Sequence, residues 1–141
     1  MKTGQRVLCI DYGDVRSGIA VSDALGVLAV GLGTVRPKGM RELTEIIKAK
    51  ADEYNVGLIV VGNPVNMNGT AGPRSERARA FAEKLEAALS VEVVLFDERC
   101  TTLAAHRILN ETDTRGKKRK DVVDTLSAQI ILQNYMDSHK K

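Results

Sequence analysis

The chain opens with short, dense apolar runs and closes with longer segments whose apolar positions are spaced at helical intervals. Val7-Leu8-Cys9-Ile10 is unbroken and stops at Asp11-Tyr12-Gly13-Asp14. A short apolar run closed by a turn signal predicts a strand buried on both faces. Gly18-Ile19-Ala20-Val21 follows after a connection too short for a crossover helix, so these two strands are expected to be antiparallel neighbours. Val27 to Val35 offers a third strand, weakened by Gly31 and Gly33. Leu58-Ile59-Val60-Val61 predicts a fourth, closed by Gly62-Asn63-Pro64, and Val91 to Phe96 a fifth.

Between and after these runs the spacing changes. Leu43, Ile46, Ile47 and Ala51 predict a helix over Met40 to Tyr54. Asn63 to Gly72 is loop chemistry, and Pro73 suits the first turn of a helix with an apolar row at Ala78, Phe81, Ala82, Leu85 and Leu89. Thr101 or Thr102 can cap a helix to about Asn110. Asp121 to Met136 predicts a last helix, capped by Asp121 and apolar around most of its circumference. The order βββαβαβαα implies an α/β fold, a five-stranded mixed sheet with helices on both faces. The right-handed crossover rule sets the strands from Leu58 and Val91 parallel to the first. No linker divides the chain, so residues 1–141 are expected to form one domain.

Composition changes this picture little: 43% hydrophobic and 28% charged residues exclude a disordered or collagen-like chain. No apolar run reaches membrane-spanning length, and no signal-peptide pattern is present, so no membrane partner and a cytoplasmic location are expected. Cys9 and Cys100 lie outside any CxxC or Cys/His cluster, which speaks against zinc and for free thiols. A thiol nucleophile at Cys100 and a general base at His106 both lack a partner in the pattern. The absence of Trp and the 4% aromatic content argue against a reader built on stacked bases.

Charge is more informative. Arg115-Gly116-Lys117-Lys118-Arg119-Lys120 carries +5, more than the net +3 of the whole chain. Such a run is either a solvated loop or a phosphate-contacting patch. The acids fall where chemistry is expected. Ligands of open α/β sheets bind beyond the carboxyl ends of parallel strands. Asp11 closes the first strand, Asp97-Glu98 the last, and Asp124 lies early in the final helix on the face of Ala128, Ile131 and Tyr135. Converging carboxylates repel unless a cation joins them, and an all-oxygen set suits Mg²⁺ or Mn²⁺. Two such ions about 3.5–4 Å apart would activate a water and stabilise the leaving oxygen of a phosphodiester. Each acid also has a purely structural alternative: Asp11 an Asx turn with Gly13, Asp97 and Glu98 caps for the next helix, and Asp124 a helix-dipole acid.

Four motifs in order resemble one family. Asp11-Tyr12-Gly13-Asp14-Val15-Arg16-Ser17-Gly18-Ile19-Ala20-Val21-Ser22-Asp23 is similar to the opening DxGxxRxGxAxSD motif of the YqgF/RuvX proteins. Val61 to Gly69 is similar to their GLPxNMDG loop, Asp97 to Thr102 to their DER-x-[ST]-[ST] motif, and Lys117 to Asp124 with Ile130 to Tyr135 to their closing basic-Asp-ILQ-Y segment. Asn63 and Asn68 depart from the usual Leu and Asp. The resemblance covers about Arg6 to Asp137. It implies an RNase H-like fold and a metal-dependent endonuclease acting on the small-subunit rRNA precursor or on branched DNA. By position it makes Asp11, Glu98 and Asp124 the catalytic and metal-binding triad. Nucleic-acid contacts are expected at Arg16, Arg99, Arg115, Lys117, Lys118, Arg119 and Lys120. A phosphate-loop ATPase of the actin/Hsp70/sugar-kinase type would need two such lobes. A binding module without chemistry stays open at this point, as does the choice between monomer and homodimer.

Overall fold

Five strands share one sheet in the order β3-β2-β1-β4-β5. The computed structural model describes residues 5–13, 15–64, 72–98 and 117–138. β1 (Arg6–Asp11), β2 (Ser17–Ser22) and β3 (Ala29–Val35) run antiparallel in succession. Helix α1 (Met40–Glu53) crosses to β4 (Val56–Pro64), which lies parallel beside β1. Helix α2 (Pro73–Ala88) then crosses to β5 (Glu92–Glu98), parallel to β4 and one strand further out than β1. A long helix, α3 (Lys117–Ser138), closes the described chain.

Strand alternation sorts the apolar runs onto two faces. Leu8 and Ile10 of β1 pack with Ile59 and Val61 of β4 under Leu43 and Ile47 of α1 and Phe81 and Leu85 of α2. Val7 and Cys9, one step out of phase, pack with Ala20 and Val60 under Ala128, Ile131 and Leu132 of α3. Burying each large side chain contributes about 1.5–3 kcal/mol, so both faces of β1 anchor the fold. Cys9 is fully buried in the face under α3.

The structure differs from the expectations at four points. β3 starts at Ala29, two residues later than Val27; it runs on through Gly31 and Gly33 as expected, with a register shift against β2 between Ile19 and Ala20 and Gly33 at φ 113°. β4 continues past Val61 through Asn63 and Pro64, paired with Asp97 and Glu98 of β5. Buried Asn63 is accommodated because the Ser75 hydroxyl donates to its Oδ1 at 2.5 Å. α3 begins at Lys117, so Lys117–Lys120 form the first turn of a helix and not a loop. Lys and Arg are good helix formers, and after Gly116 nothing interrupts the helix. Asp121 is therefore inside the helix and caps nothing. Finally, α3 buries one side, at Val123, Ser127, Ala128, Ile131, Leu132 and Met136, while Asn134 and Asp137 are exposed. The loop expected at 65–71 and the helix expected from Thr101 lie outside the described residues, with Cys100 and His106.

Glutamines of α3 cover the start of the β3 edge. Gln133 Oε1 accepts the Ala29 N–H at 3.1 Å, and its Nε2 donates to the Val27 carbonyl at 2.9 Å. Gln129 Nε2 approaches the Ala29 carbonyl at 3.5 Å.

Candidate active site

Register brings Thr34, Gly18 and Asp11 into one row across β3, β2 and β1. The row lies at the carboxyl end of β1, where β4 and β5 also end. Asp11 is in phase with Val7 and Cys9 and so belongs to the face covered by α3. Position 98 is the last residue of β5, whose Val94 and Phe96 pack on that face.

α3 crosses this row at very close range. A Cβ built on Gly18 would collide with the Asp124 carbonyl oxygen, so only glycine lets the helix backbone settle there. Gly18 is the pairing partner of Asp11. Asp11 and Asp124 therefore flank the same glycine, one along the sheet and one above it.

Three groups fix the turn of α3 that carries Asp124. The Thr34 hydroxyl donates to the Asp121 carbonyl at 2.6 Å, and the Thr34 and Thr125 hydroxyls meet at 2.8 Å. Arg36, just beyond β3, donates to Asp121 Oδ1 at 2.5 Å and forms an ion pair with it. Arg36 accordingly holds the Asp121 carboxyl below the usual carboxylate range, chiefly through that hydrogen bond. Aromatic contacts brace both sides of the frame. Tyr12 stacks on Phe81 of α2 with centroids 5.0 Å apart, and Phe96 meets Tyr135 of α3 edge-on at 5.6 Å.

Asp124 has a different environment. Its side chain is 17% exposed and forms an ion pair, Oδ2 to Nε, with Arg16, whose side chain is 32% exposed. Both atoms are buried, and neither completes a hydrogen bond. Burial pushes the Asp124 carboxyl above the ordinary range, and the Arg16 charge offsets this only in part. Arg16 leaves the tight β1–β2 turn, where the Gly13 N–H donates to the Ser17 hydroxyl at 3.2 Å.

The structure thus brings Asp11, Arg16 and Asp124 to one end of the sheet and sets the backbone of Glu98 at the end of β5. Lys117–Lys120 form the turn before Asp121. Arg99 and Arg115 lie outside the described residues. Among the described residues, no three His, Cys, Asp or Glu side chains gather as a metal-binding group. Sequence reasoning missed Thr34, Thr125 and Arg36. Once the β2–β3 register is known, Thr34 is conspicuous, because it lies opposite the glycine under α3.

The donors present fit a hard divalent cation. Asp11 and Asp124 offer carboxylate oxygens, and Asp124 Oδ2 is a buried oxygen with a cation beside it and no hydrogen bond. No described helix is long and apolar enough to cross a membrane.

Comparisons with known proteins agree with this architecture. A protein of Thermoanaerobacter pseudethanolicus named "Putative pre-16S rRNA nuclease" is 46% identical over 136 residues, covering 96% of this chain and 98% of its own length. A protein of Geobacillus sp. (strain WCH70) with the same name is 48% identical over 139 residues, covering 94% and 98%. Among solved structures, T. thermophilus RuvC in complex with Holliday junction substrate superposes with a TM-score of 0.58 at 13% identity, over 96% of this chain and 98% of that one. The fowlpox virus Holliday junction resolvase does so at 0.55 and 13%, over 95% and 99%. These two share the RNase H-like fold expected from the motifs. With residues 5–138 matching the family described as RuvX, Holliday junction resolvase, the chain belongs to the RuvX family.

Proposed function

We propose that this protein is a divalent-metal-dependent endonuclease of structured nucleic acid, and that its reaction is maturation of the 5′ end of the small-subunit rRNA precursor in the cytoplasm. The observation that carries the reading is the stacking of Asp124 over Gly18, the strand partner of Asp11, at the carboxyl end of the parallel strands. The names of the relatives at 46% and 48% identity favour the rRNA precursor as substrate.

Asp11, Glu98 and Asp124 would hold the ion. A divalent cation supplies Lewis acidity to a phosphodiester and its attacking water. The chain's own contribution is position and charge. Gly18 allows Asp124 to approach, and the Thr34–Asp121–Thr125 contacts keep that turn from rolling along the sheet. Lys117, Lys118, Arg119 and Lys120 end one turn before Asp124, and with Arg99 and Arg115 they would take the phosphates on either side of the cut. Positioning of this kind contributes most when it is built before the substrate arrives.

The test is cleavage of an rRNA precursor and of a four-way DNA junction in one buffer, with Mg²⁺ or Mn²⁺, by the native chain and by Asp11→Asn. Losing a ligand should cost at least the roughly 10–100-fold of losing a residue behind it. Metal-dependent cleavage of the precursor by the native chain alone supports the reading. Selective cutting of the junction moves the substrate to branched DNA, which the family description favours. Equal cleavage by both proteins, or binding without cleavage by either, overturns the nuclease assignment.

A further inference from the structure

We propose that Arg16 is the resident counter-cation of Asp124, and that a divalent ion must displace its guanidinium to reach that carboxylate. The inference rests on the metal reading above and adds to it the residue that sets metal affinity. Arg16 Nε lies against Asp124 Oδ2, and both atoms are buried without a hydrogen bond. The contact is an ion pair between Nε and Oδ2. An arginine cannot lose its proton to make way, so it has to move. It can: its side chain is about a third exposed and springs from the β1–β2 turn next to Val15, which is 68% exposed. By contrast Arg36, a second arginine beside this turn of α3, is hydrogen-bonded to Asp121 and stays out of the exchange. Removing Arg16 takes away a competitor for Asp124. Metal affinity should rise, whereas damage to the site would lower it.

Full-length protein stripped of metal is titrated calorimetrically with Mn²⁺ as wild type, Arg16→Gln, Arg16→Lys and Asp124→Asn. Arg16→Gln should bind about tenfold more tightly, the low end of the one-to-three-decade effect that a neighbouring arginine has on proton binding to a carboxylate. Arg16→Lys, which keeps the charge, should stay near wild type, and Asp124→Asn should bind much more weakly. If Arg16→Gln binds no more tightly while Asp124→Asn loses affinity, the displacement idea fails and the metal site stands. If wild type and all three variants bind no Mn²⁺, the metal reading fails and takes this inference with it. A measurement on the wild type guards against a variant that does not fold. Adding Mg²⁺ should shift the Nε–H resonance of Arg16 in nitrogen-15 spectra towards that of a solvent-exposed arginine. An Arg16 signal that stays fixed while backbone amides around Asp124 respond to Mg²⁺ overturns the proposal.

Discussion

Gly18 of β2 and Asp124 of α3 meet backbone to backbone, with room between them for a hydrogen but not for a methyl group. The same contact seats α3 on the sheet and sets the height of the Asp124 backbone over the strand partner of Asp11. Fold and candidate site therefore depend on one missing side chain.

Gly18→Ala should show this directly. The obstacle is a main-chain carbonyl, which cannot rotate away as a side chain could. Overpacking typically costs 1–3 kcal/mol, and here about 3 kcal/mol is expected because the whole helix has to lift. Urea denaturation would measure it as a lower midpoint with an unchanged slope. Cleavage should fall as well, under conditions where the variant remains folded.

The Asn63–Ser75 pair ties β4 to the start of α2 through a buried hydrogen bond. Asn63→Leu leaves the Ser75 hydroxyl without this partner, and Ser75→Ala removes a donor from Asn63. Each should cost about 1–3 kcal/mol. The double variant should be less destabilised than the two losses added together. Additivity within about 0.5 kcal/mol would mean that the pair is not coupled.

The Arg36–Asp121 pair makes stability depend on pH in a defined direction. Asp121 is held below its ordinary value of 3.8, so the folded state takes up a proton less readily than the unfolded chain. The contribution is complete above the unfolded value and is lost as pH falls through the lower folded one. Asp121→Asn should therefore be less stable than wild type at pH 6, and the gap should narrow below about pH 4. Denaturation curves at several pH values would read it, and a gap that widened in acid would contradict the pair's role.

Neutralising Lys117, Lys118, Arg119 and Lys120 to glutamine should weaken nucleic-acid binding and flatten its dependence on salt. Each phosphate that no longer meets a cation lowers the slope by about 0.9 on duplex and by about 0.7 on single strands. An unchanged slope in a filter-binding or anisotropy titration would remove these residues from the interface.

The strands were legible because β1 and β4 are buried on both faces and must be apolar at every position, as Val7–Ile10 and Leu58–Val61 are. β3 was harder to read, because its glycines reflect a register shift and the close passage of α3. The start of α3 was misread because four cations oppose the dipole at a helix N-terminus, so charge pointed to a loop. The acids were picked out by their places at strand and helix ends. Their spatial relation was not readable, since it depends on β1–β2 register and on where a helix more than 100 residues later lands. The Arg16–Asp124 and Arg36–Asp121 pairs were hidden for the same reason: nothing local links their partners.

The glutamines of α3 have one more effect. The outermost strand of an open sheet normally offers its unpaired amides to any extended peptide that drifts by. Here Gln129 and Gln133 already occupy the outward groups of Val27 and Ala29, next to the exposed Leu25, Leu28 and Val30. At this apolar corner the first backbone groups of the edge are thus already taken, so an extended segment docking beside Leu28 and Val30 would find no free amide at Ala29 to pair with.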